Sequence, residues 1–195
     1  MRLRLRRWAG GVLVGVLAAS VAVTAVPSAA ASRVPHGRFG VGDSIMLSAS
    51  DELAADGFRT NAEVGRQFIA GVDIVRRLAT RDRLPRHAVV HLGTNGPVDV
   101  DDCARLIGDA PRRQIYLVNV RVPRVWEGAV NETLRACARP YARVHYLNWY
   151  RKSGRRLDDW IAPDGYHLTA DGQAAYAAWI DARVDAVVES QRTSR

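Results

Sequence analysis

Short apolar runs alternate with segments of helical periodicity along most of this chain. A run such as Ala88–Leu92 is typical of a strand buried on both faces of a sheet. The pattern predicts strands at 38–42, 59–64, 88–92, 114–120 and 144–149, and helices at 45–55, 66–78, 100–109, 126–139 and 170–188. Strands that alternate with helices form a parallel sheet covered on both faces. The chain is therefore predicted to be a three-layer α/β/α sandwich.

The first 31 residues differ from the rest of the chain. Four arginines near the start precede an apolar stretch from Trp8 to Val26, and small residues end at Ala31. These are the features of a secretory signal peptide, and the pair Arg6–Arg7 leaves the twin-arginine route open beside general secretion. A retained membrane anchor is the alternative, although the apolar run is near the lower limit for spanning a bilayer. We expect cleavage near Ala31, a single domain over 32–195, and a secreted or extracytoplasmic protein.

The net charge argues against a nucleic-acid partner. The sequence holds 28 Lys and Arg against 20 Asp and Glu, a formal charge of +8, which falls to +4 without the four arginines of the first segment. The remaining basic residues are scattered along the sequence rather than gathered on one predicted face. No nucleic-acid binding is therefore predicted, whereas attraction to an anionic surface stays open.

Two cysteines, Cys103 and Cys137, lie in predicted helices that follow the third and fourth strands. In a chain that leaves the cytosol they are expected to form one disulfide. Right-handed crossovers would place both helices on one face of the sheet, which permits the bond. Two buried free thiols are the alternative. Neither cysteine has a second Cys or His at ligand spacing, so a metal site is not expected there.

The tripeptide Gly42–Ser44 lies where the first strand ends and the first helix begins. Gly42 permits a tight turn, and Asp43 or Ser44 can cap the helix. Backbone N–H groups and the positive end of the helix dipole favour negative charge at this position. Such a position suits a serine nucleophile whose attack generates an oxyanion. An ordinary capped helix is the alternative interpretation.

Other candidate catalytic residues follow later strands, and the carboxyl ends of parallel strands share one edge of the sheet. Serine acyl transfer needs a base, an acid that orients the base, and hydrogen-bond donors for the oxyanion. His167 is the candidate base, and Asp164, three residues earlier, is its orienting acid. The side chain of Asn95 and the backbone N–H groups of Gly65 and Ser44 are candidate oxyanion donors. Each residue taken alone is also common in turns or on surfaces.

Several side chains near the same strand ends are candidates for holding a polar ligand, with packing at the rim as the alternative. They are Arg121, Arg124, Trp126 and Trp160. His91 lies in a strand between apolar neighbours and is expected to be a core residue. Asp99, Asp101 and Asp102 lack the spacing of a calcium loop and are better explained by helix capping. Neither a metal nor a cofactor is predicted.

Taken together, these motifs resemble the SGNH, or GDSL, hydrolase family. The resemblance rests on Gly42-Asp43-Ser44, Gly65, Gly93-Thr94-Asn95 and Asp164-x-x-His167, which span nearly all of 32–195. It implies a flavodoxin-like sheet of five parallel strands in the order 2-1-3-4-5. It also implies that Ser44 is the nucleophile, His167 its base and Asp164 the orienting acid. In this family pattern Ser44, Gly65 and Asn95 surround the oxyanion.

Finer motifs are similar to the extracytoplasmic domain of peptidoglycan O-acetyltransferases. They are Val64–Gln67, His91–Gly96, Asn119–Arg124 with Trp126, and Asp164–Thr169. In those proteins a membrane acyltransferase module usually precedes the domain, and this sequence shows no such module. A transferase of this kind is therefore expected to depend on a separate membrane acetyl-donor protein.

The expected function is that of a secreted, monomeric serine esterase. The Arg and Trp residues near the strand ends suit a polar ligand, and the sequence shows no long apolar lid, so short-chain acetyl esters of cell-wall or other carbohydrate are expected as substrates rather than lipids. The expected reaction passes through an acyl-Ser44 intermediate. A peptidoglycan O-acetyltransferase that works with a separate membrane donor is the first alternative. A catalytically silent module that binds the cell wall is the second.

Overall fold

The computed structural model of the protein describes residues 37–194. The expected signal peptide, 1–31, lies outside these residues. Five strands are β1 Arg38–Gly42, β2 Phe58–Ala62, β3 His87–His91, β4 Gln114–Val118 and β5 Val144–Leu147. All pair in parallel, in the order β2-β1-β3-β4-β5, which confirms the predicted sheet. Gly42 is aligned with Ala62 on one side and with His91 on the other, so neighbouring strands end at the same edge.

Eight helices surround the sheet within the described residues. They are α1 Ser44–Ser48, α2 Ser50–Ala55, α3 Phe68–Thr80, α4 Val100–Asp109, α5 Glu127–Ala138, α6 Trp149–Ser153, α7 Leu157–Trp160 and α8 Ala170–Thr193. The prediction of one helix over 45–55 was wrong, because Ala49 separates α1 from α2. Helices α6 and α7 were not predicted, since five and four residues are too few to show a helical period.

Each face of the sheet is covered by its own hydrophobic core. Side chains point alternately to the two faces along a strand. Thus Val90 and Leu117 pack with α3, α4 and α5 on one face. Val89 and Tyr116 pack with α1, α2 and α8 on the other. The predicted three-layer sandwich is therefore confirmed. Among residues 37–194, none of the helices combines the length and the hydropathy that a membrane span needs.

The predicted disulfide joins Cys103 on α4 to Cys137 on α5. Both helices lie on the same face of the sheet, as the crossover argument requires. The bond closes a loop between residues that are 34 positions apart. It restricts the unfolded chain and so favours the folded state.

Reduction of this disulfide is expected to lower the free energy of unfolding by about 2–4 kcal/mol. Urea unfolding with and without a reductant measures the difference, and thiol titration establishes that the bond was opened. The Cys103→Ser/Cys137→Ser double variant serves as a control, because added reductant should leave its unfolding midpoint unchanged. Equal midpoints for the oxidised and fully reduced protein would show that the bond contributes nothing.

Candidate active site

Ser44 lies at the turn between β1 and α1. Asp43 is the N-cap of α1, and its Oδ1 accepts a hydrogen bond from the Ile45 N–H at 3.0 Å. The Asp43 N–H donates to the His91 carbonyl at 3.2 Å, which ties the turn to β3. A Cβ atom at Gly42 would lie only 2.4 Å from the Met46 Cβ, so glycine is required where α1 folds back over the strand end. Backbone packing therefore fixes the position of Ser44.

Asp164 and His167 lie in a compact loop between α7 and α8. An antiparallel bridge between Ile161 and Leu168 closes the base of the loop. Gly165 has a φ of +87°, a conformation that glycine adopts without strain. One carboxylate oxygen of Asp164, Oδ1, accepts the backbone N–H groups of Tyr166 and His167 at 3.1 and 3.0 Å. The second oxygen is thereby directed towards the imidazole.

Three predicted catalytic side chains form one hydrogen-bonded chain. Ser44 Oγ lies 3.1 Å from His167 Nε2, and His167 Nδ1 lies 2.6 Å from Asp164 Oδ2. With the proton on Nδ1, the imidazole donates to the carboxylate and its Nε2 can accept from the serine hydroxyl. This is the arrangement that serine acyl transfer needs, with a nucleophile, a base and a group that orients the base.

Asp164 is held in its charged form. Desolvation acts to raise the pKa of its carboxyl group, but the hydrogen bonds from the His167 side chain and from the Tyr166 and His167 N–H groups outweigh it. The pKa of Asp164 therefore lies below its ordinary value. A charged carboxylate at this position can stabilise an imidazolium ion on His167.

The predicted oxyanion residues Gly65 and Asn95 lie in two adjacent loops. Gly65 has a φ of +76° in the loop after β2. Asn95, in the loop after β3, donates from its side chain to the Arg66 carbonyl at 3.4 Å. The Asn95 carbonyl accepts a hydrogen bond from the Gln67 side chain at 2.8 Å. These two contacts hold the loops together, so Asn95 lies beside the Arg66–Gln67 peptide, one residue after Gly65.

Arg66 is a structural residue of the site that sequence reasoning missed. Its guanidinium is almost fully buried and donates to the Gly42 carbonyl at 3.2 Å. It also donates to the backbone carbonyl and the side chain of Asn61, and it pairs with Glu63 at 3.0 Å. These hydrogen bonds connect the end of β2 to Gly42, the residue that precedes Asp43 and Ser44. Arginine is mostly exposed in proteins, so nothing in the sequence indicated this buried role.

Two other polar residues beneath the site are completely buried. Burial raises the pKa of Asp43 to about 6, against the opposing effect of the Ile45 N–H. The hydroxyl and the N–H group of Thr94 also act to lower the pKa of this carboxyl group. His91 contacts the Tyr176 hydroxyl through Nδ1 at 2.8 Å, and burial lowers the pKa of His91 to about 3. His91 is therefore a neutral core residue, as expected.

A small cavity of about 150 Å³ lies next to the loop that carries His167. Its walls include Asn95 and Tyr166, and the Tyr166 ring centre is 4.1 Å from that of His167. Of the four predicted ligand contacts, Arg124 and Trp126 line this cavity. The other two predicted contacts lie elsewhere. Arg121 donates to Ser153 Oγ at 2.9 Å and to the Tyr150 carbonyl at 2.6 Å, and Trp160 stacks on Trp149.

No family model matches the sequence. The chain is similar to the peptidoglycan O-acetyltransferase OatA of Listeria monocytogenes, with 34% identity over 143 residues. The match covers 72% of this chain but only 22% of the relative, so the chain spans about a fifth of the curated proteins it matches.

Two solved structures have a similar fold. The C-terminal catalytic domain of the Streptococcus pneumoniae peptidoglycan O-acetyltransferase A superposes with a TM-score of 0.72 and 20% identity. That match covers 80% of this chain and 97% of the solved domain. A peptidoglycan O-acetylesterase gives a TM-score of 0.54 and 18% identity over 69% of this chain and 48% of its own.

Proposed function

We propose that this chain, which belongs by fold to the SGNH hydrolases and is related by sequence to peptidoglycan O-acetyltransferases, is a serine acetylesterase acting on cell-wall or similar carbohydrate. The observation that carries the proposal is the hydrogen-bonded chain from Ser44 through His167 to Asp164. A catalytically silent wall-binding module would have no need of this arrangement.

In the proposed reaction, Ser44 Oγ attacks the carbonyl carbon of the acetyl ester while His167 Nε2 takes the hydroxyl proton. Asp164 stabilises the imidazolium ion that results. Collapse of the tetrahedral intermediate breaks the bond to the sugar oxygen, which receives the proton from His167. An acetyl-Ser44 ester remains. The same imidazole then deprotonates an acceptor hydroxyl, whose attack releases the acetyl group and restores Ser44.

The carbonyl oxygen becomes negatively charged in this reaction and needs hydrogen-bond donors. We assign that role to the backbone N–H groups of Ser44 and Gly65 and to the Asn95 side chain. The contact between the Asn95 side chain and the Arg66 carbonyl supports the assignment, because it places Asn95 beside the residue that follows Gly65. Donors held in position before the reaction are effective, since they need no rearrangement as charge develops.

Asn95→Ala is expected to lower kcat for a small acetyl ester by about 10²-fold, because one oxyanion donor is lost. Steady-state kinetics with p-nitrophenyl acetate measures the effect. Gln67→Ala is the matched control, since it removes a neighbouring amide that contacts Asn95 only through the backbone. An equal loss in both variants would indicate that loop structure, and not the Asn95 amide, matters.

Water is the acceptor that we propose for the isolated chain. The side chains of His167 and Asp164 are 38% and 42% exposed, so solvent can reach the imidazole that would activate it. The small cavity suits a short acyl group, and its Arg124 and Trp126 walls suit a polar ligand. Short acetyl esters should therefore be turned over faster than esters of long fatty acids.

The second candidate function is O-acetyl transfer to a glycan. The similarity to a peptidoglycan O-acetyltransferase favours it. It requires an acetyl donor, which we propose to be a separate membrane protein. The two reactions differ in the fate of the acetyl group. Mass spectrometry of mixtures of the protein, p-nitrophenyl acetate and chitooligosaccharide distinguishes acetate from acetylated glycan. Acetate as the main product supports the esterase, whereas acetylated glycan that forms only with intact Ser44 supports the transferase.

The localisation is proposed to be extracytoplasmic, with residues 1–31 as a cleaved signal peptide. The basic and apolar pattern of that segment supports this proposal, as does the Cys103–Cys137 disulfide, because disulfides persist in oxidising compartments. We also propose that residues 32–195 act as a monomer.

A further inference from the structure

A strongly basic groove lies between α5, β5, α6 and α8. Its volume is about 650 Å³. Five cationic side chains line it, and none of its lining residues is acidic. The cations are Arg135, Arg151, Lys152, Arg155 and Arg183. We call this surface the basic groove.

Most of this charge is not neutralised within residues 37–194. The side chains of Arg151, Arg155 and Arg183 form no hydrogen bond or ion pair with the described residues. Arg135 has a partner in Glu132, but the distance is 3.7 Å and both groups are largely exposed, so the pair is weak. Like charges held together without counter-charges repel one another. An anionic ligand would remove that repulsion.

The basic groove also concentrates the positive charge of the protein. Residues 32–195 carry a net charge of only +4, and the five cations of the groove exceed it. The rest of this segment is therefore almost neutral. Cations from three separate helices, far apart in the sequence, converge here. A localised field of this kind attracts a particular class of ligand and does not merely raise solubility.

The walls of the basic groove carry more than charge. Tyr146, Asn148 and Trp179 contribute to its lining, and the Arg135 guanidinium lies over the Tyr146 ring, 5.4 Å from its centre. Aromatic faces pack against the C–H faces of sugar rings, and amides bond to hydroxyl groups. Arginine binds carboxylate and phosphate through paired N–H donors. Rings, amides and guanidinium groups together match a sugar chain that carries oxyanions.

The groove continues beyond this cavity. An adjoining cavity of about 320 Å³ shares Arg135 and Tyr146 and adds Arg139 and Tyr141. The two cavities together offer an extended surface with further positive charge and a further aromatic ring. Such a surface fits a linear polymer better than a single small anion.

We propose that the basic groove binds an acidic polysaccharide, meaning a chain of sugar rings that bear carboxylate or phosphate groups. None of its lining residues lines the cavity beside His167, so the two sites are separate. The proposal does not depend on the esterase assignment. If the protein is an esterase, the groove would hold it on an anionic polymer while Ser44 reacts elsewhere.

Isothermal titration of the purified protein with oligogalacturonate at moderate salt tests the proposal. Neutral dextran should not bind, and polyglutamate, which has carboxylates but no sugar rings, should bind more weakly. Binding of oligogalacturonate should weaken as salt is raised, because salt screens exposed charges. The triple variant Arg151→Gln/Arg155→Gln/Arg183→Gln should weaken it by about 10- to 100-fold, since charge-assisted hydrogen bonds are lost.

A second triple variant, Arg59→Gln/Arg77→Gln/Arg83→Gln, is the matched control. It removes the same charge from exposed arginines outside the groove and should leave binding nearly unchanged. Both variants should keep the melting temperature and the turnover of p-nitrophenyl acetate seen in the parent protein. The groove assignment is overturned if the two triple variants weaken binding equally. Polyglutamate binding as tightly as oligogalacturonate would refute the role of sugar rings, and tighter binding of oligo(dT) would indicate a nucleic-acid site instead.

Discussion

Ser44→Ala is expected to lower kcat for p-nitrophenyl acetate by at least about 10³-fold, because it removes the proposed nucleophile. The fold should survive the change. Asp43, and not Ser44, caps α1 with its side chain, and the packing of Gly42 against Met46 does not involve the hydroxyl. Turnover and the melting temperature, measured on the same preparation, separate loss of chemistry from loss of structure.

Ser48→Ala provides the matched control for this experiment. Ser48 ends the same helix, and within residues 37–194 its hydroxyl bonds only to the Ile45 carbonyl, at 2.9 Å. This variant should retain nearly full activity. A folded Ser44→Ala protein that keeps most of the parent activity would rule out the nucleophile assignment. Mass spectrometry after treatment with a sulfonyl fluoride adds a direct check, because the adduct should form on Ser44 in the parent and not in the variant.

Asp164→Asn should lower kcat by about 10³- to 10⁴-fold, a loss comparable with that of the nucleophile. The oxygen of the asparagine amide can still accept the Tyr166 and His167 N–H groups, so the loop is expected to keep its shape. The negative charge facing Nδ1 is lost. An amide N–H in its place favours the wrong tautomer of His167, and the imidazolium ion is no longer stabilised.

Asp158→Asn is the control for the carboxylate experiment, since Asp158 is exposed on the nearby helix α7 and lies outside the hydrogen-bonded chain. It should have turnover close to that of the parent. NMR of the His167 ring would show whether the imidazole is still ordered in Asp164→Asn. Near-normal kcat in a folded Asp164→Asn protein would contradict the role assigned to the carboxylate.

The sheet was predictable because most of its strands are short apolar runs separated by helical patterns, although β2 carries Arg59, Thr60 and Asn61. The lengths of the apolar runs and the turn residues between them indicated the strands. The strand order followed from the family resemblance. The break at Ala49 was not predictable, since residues 45–55 retain a helical pattern through it. The short helices α6 and α7 were also not predicted, because a single helical turn is too short to show a hydrophobic period in the sequence.

The candidate site was also predicted only in part. The motifs indicated Ser44, Asp164 and His167, and the structure brings these side chains within hydrogen-bonding distance, although their catalytic roles stay predictions. Arg66 was missed because its buried position depends on carbonyl groups from two strands. The basic groove was missed for a related reason. Its cations come from positions 135–183, and only the packing of three helices around β5 brings them together.

The order of the proposed catalytic residues along the chain has a consequence for protein synthesis. Ser44 and His167 are 123 residues apart, whereas His167 and Asp164 are separated by three. A ribosome therefore makes the turn that carries Ser44 long before the loop that carries His167 and Asp164. Fragments that end before this loop can contain most of the sheet but lack both His167 and Asp164. Under the proposed mechanism, a chain that ends before this loop cannot hydrolyse the esters of the cell that makes it. Esterase activity therefore appears only after the loop has been synthesised.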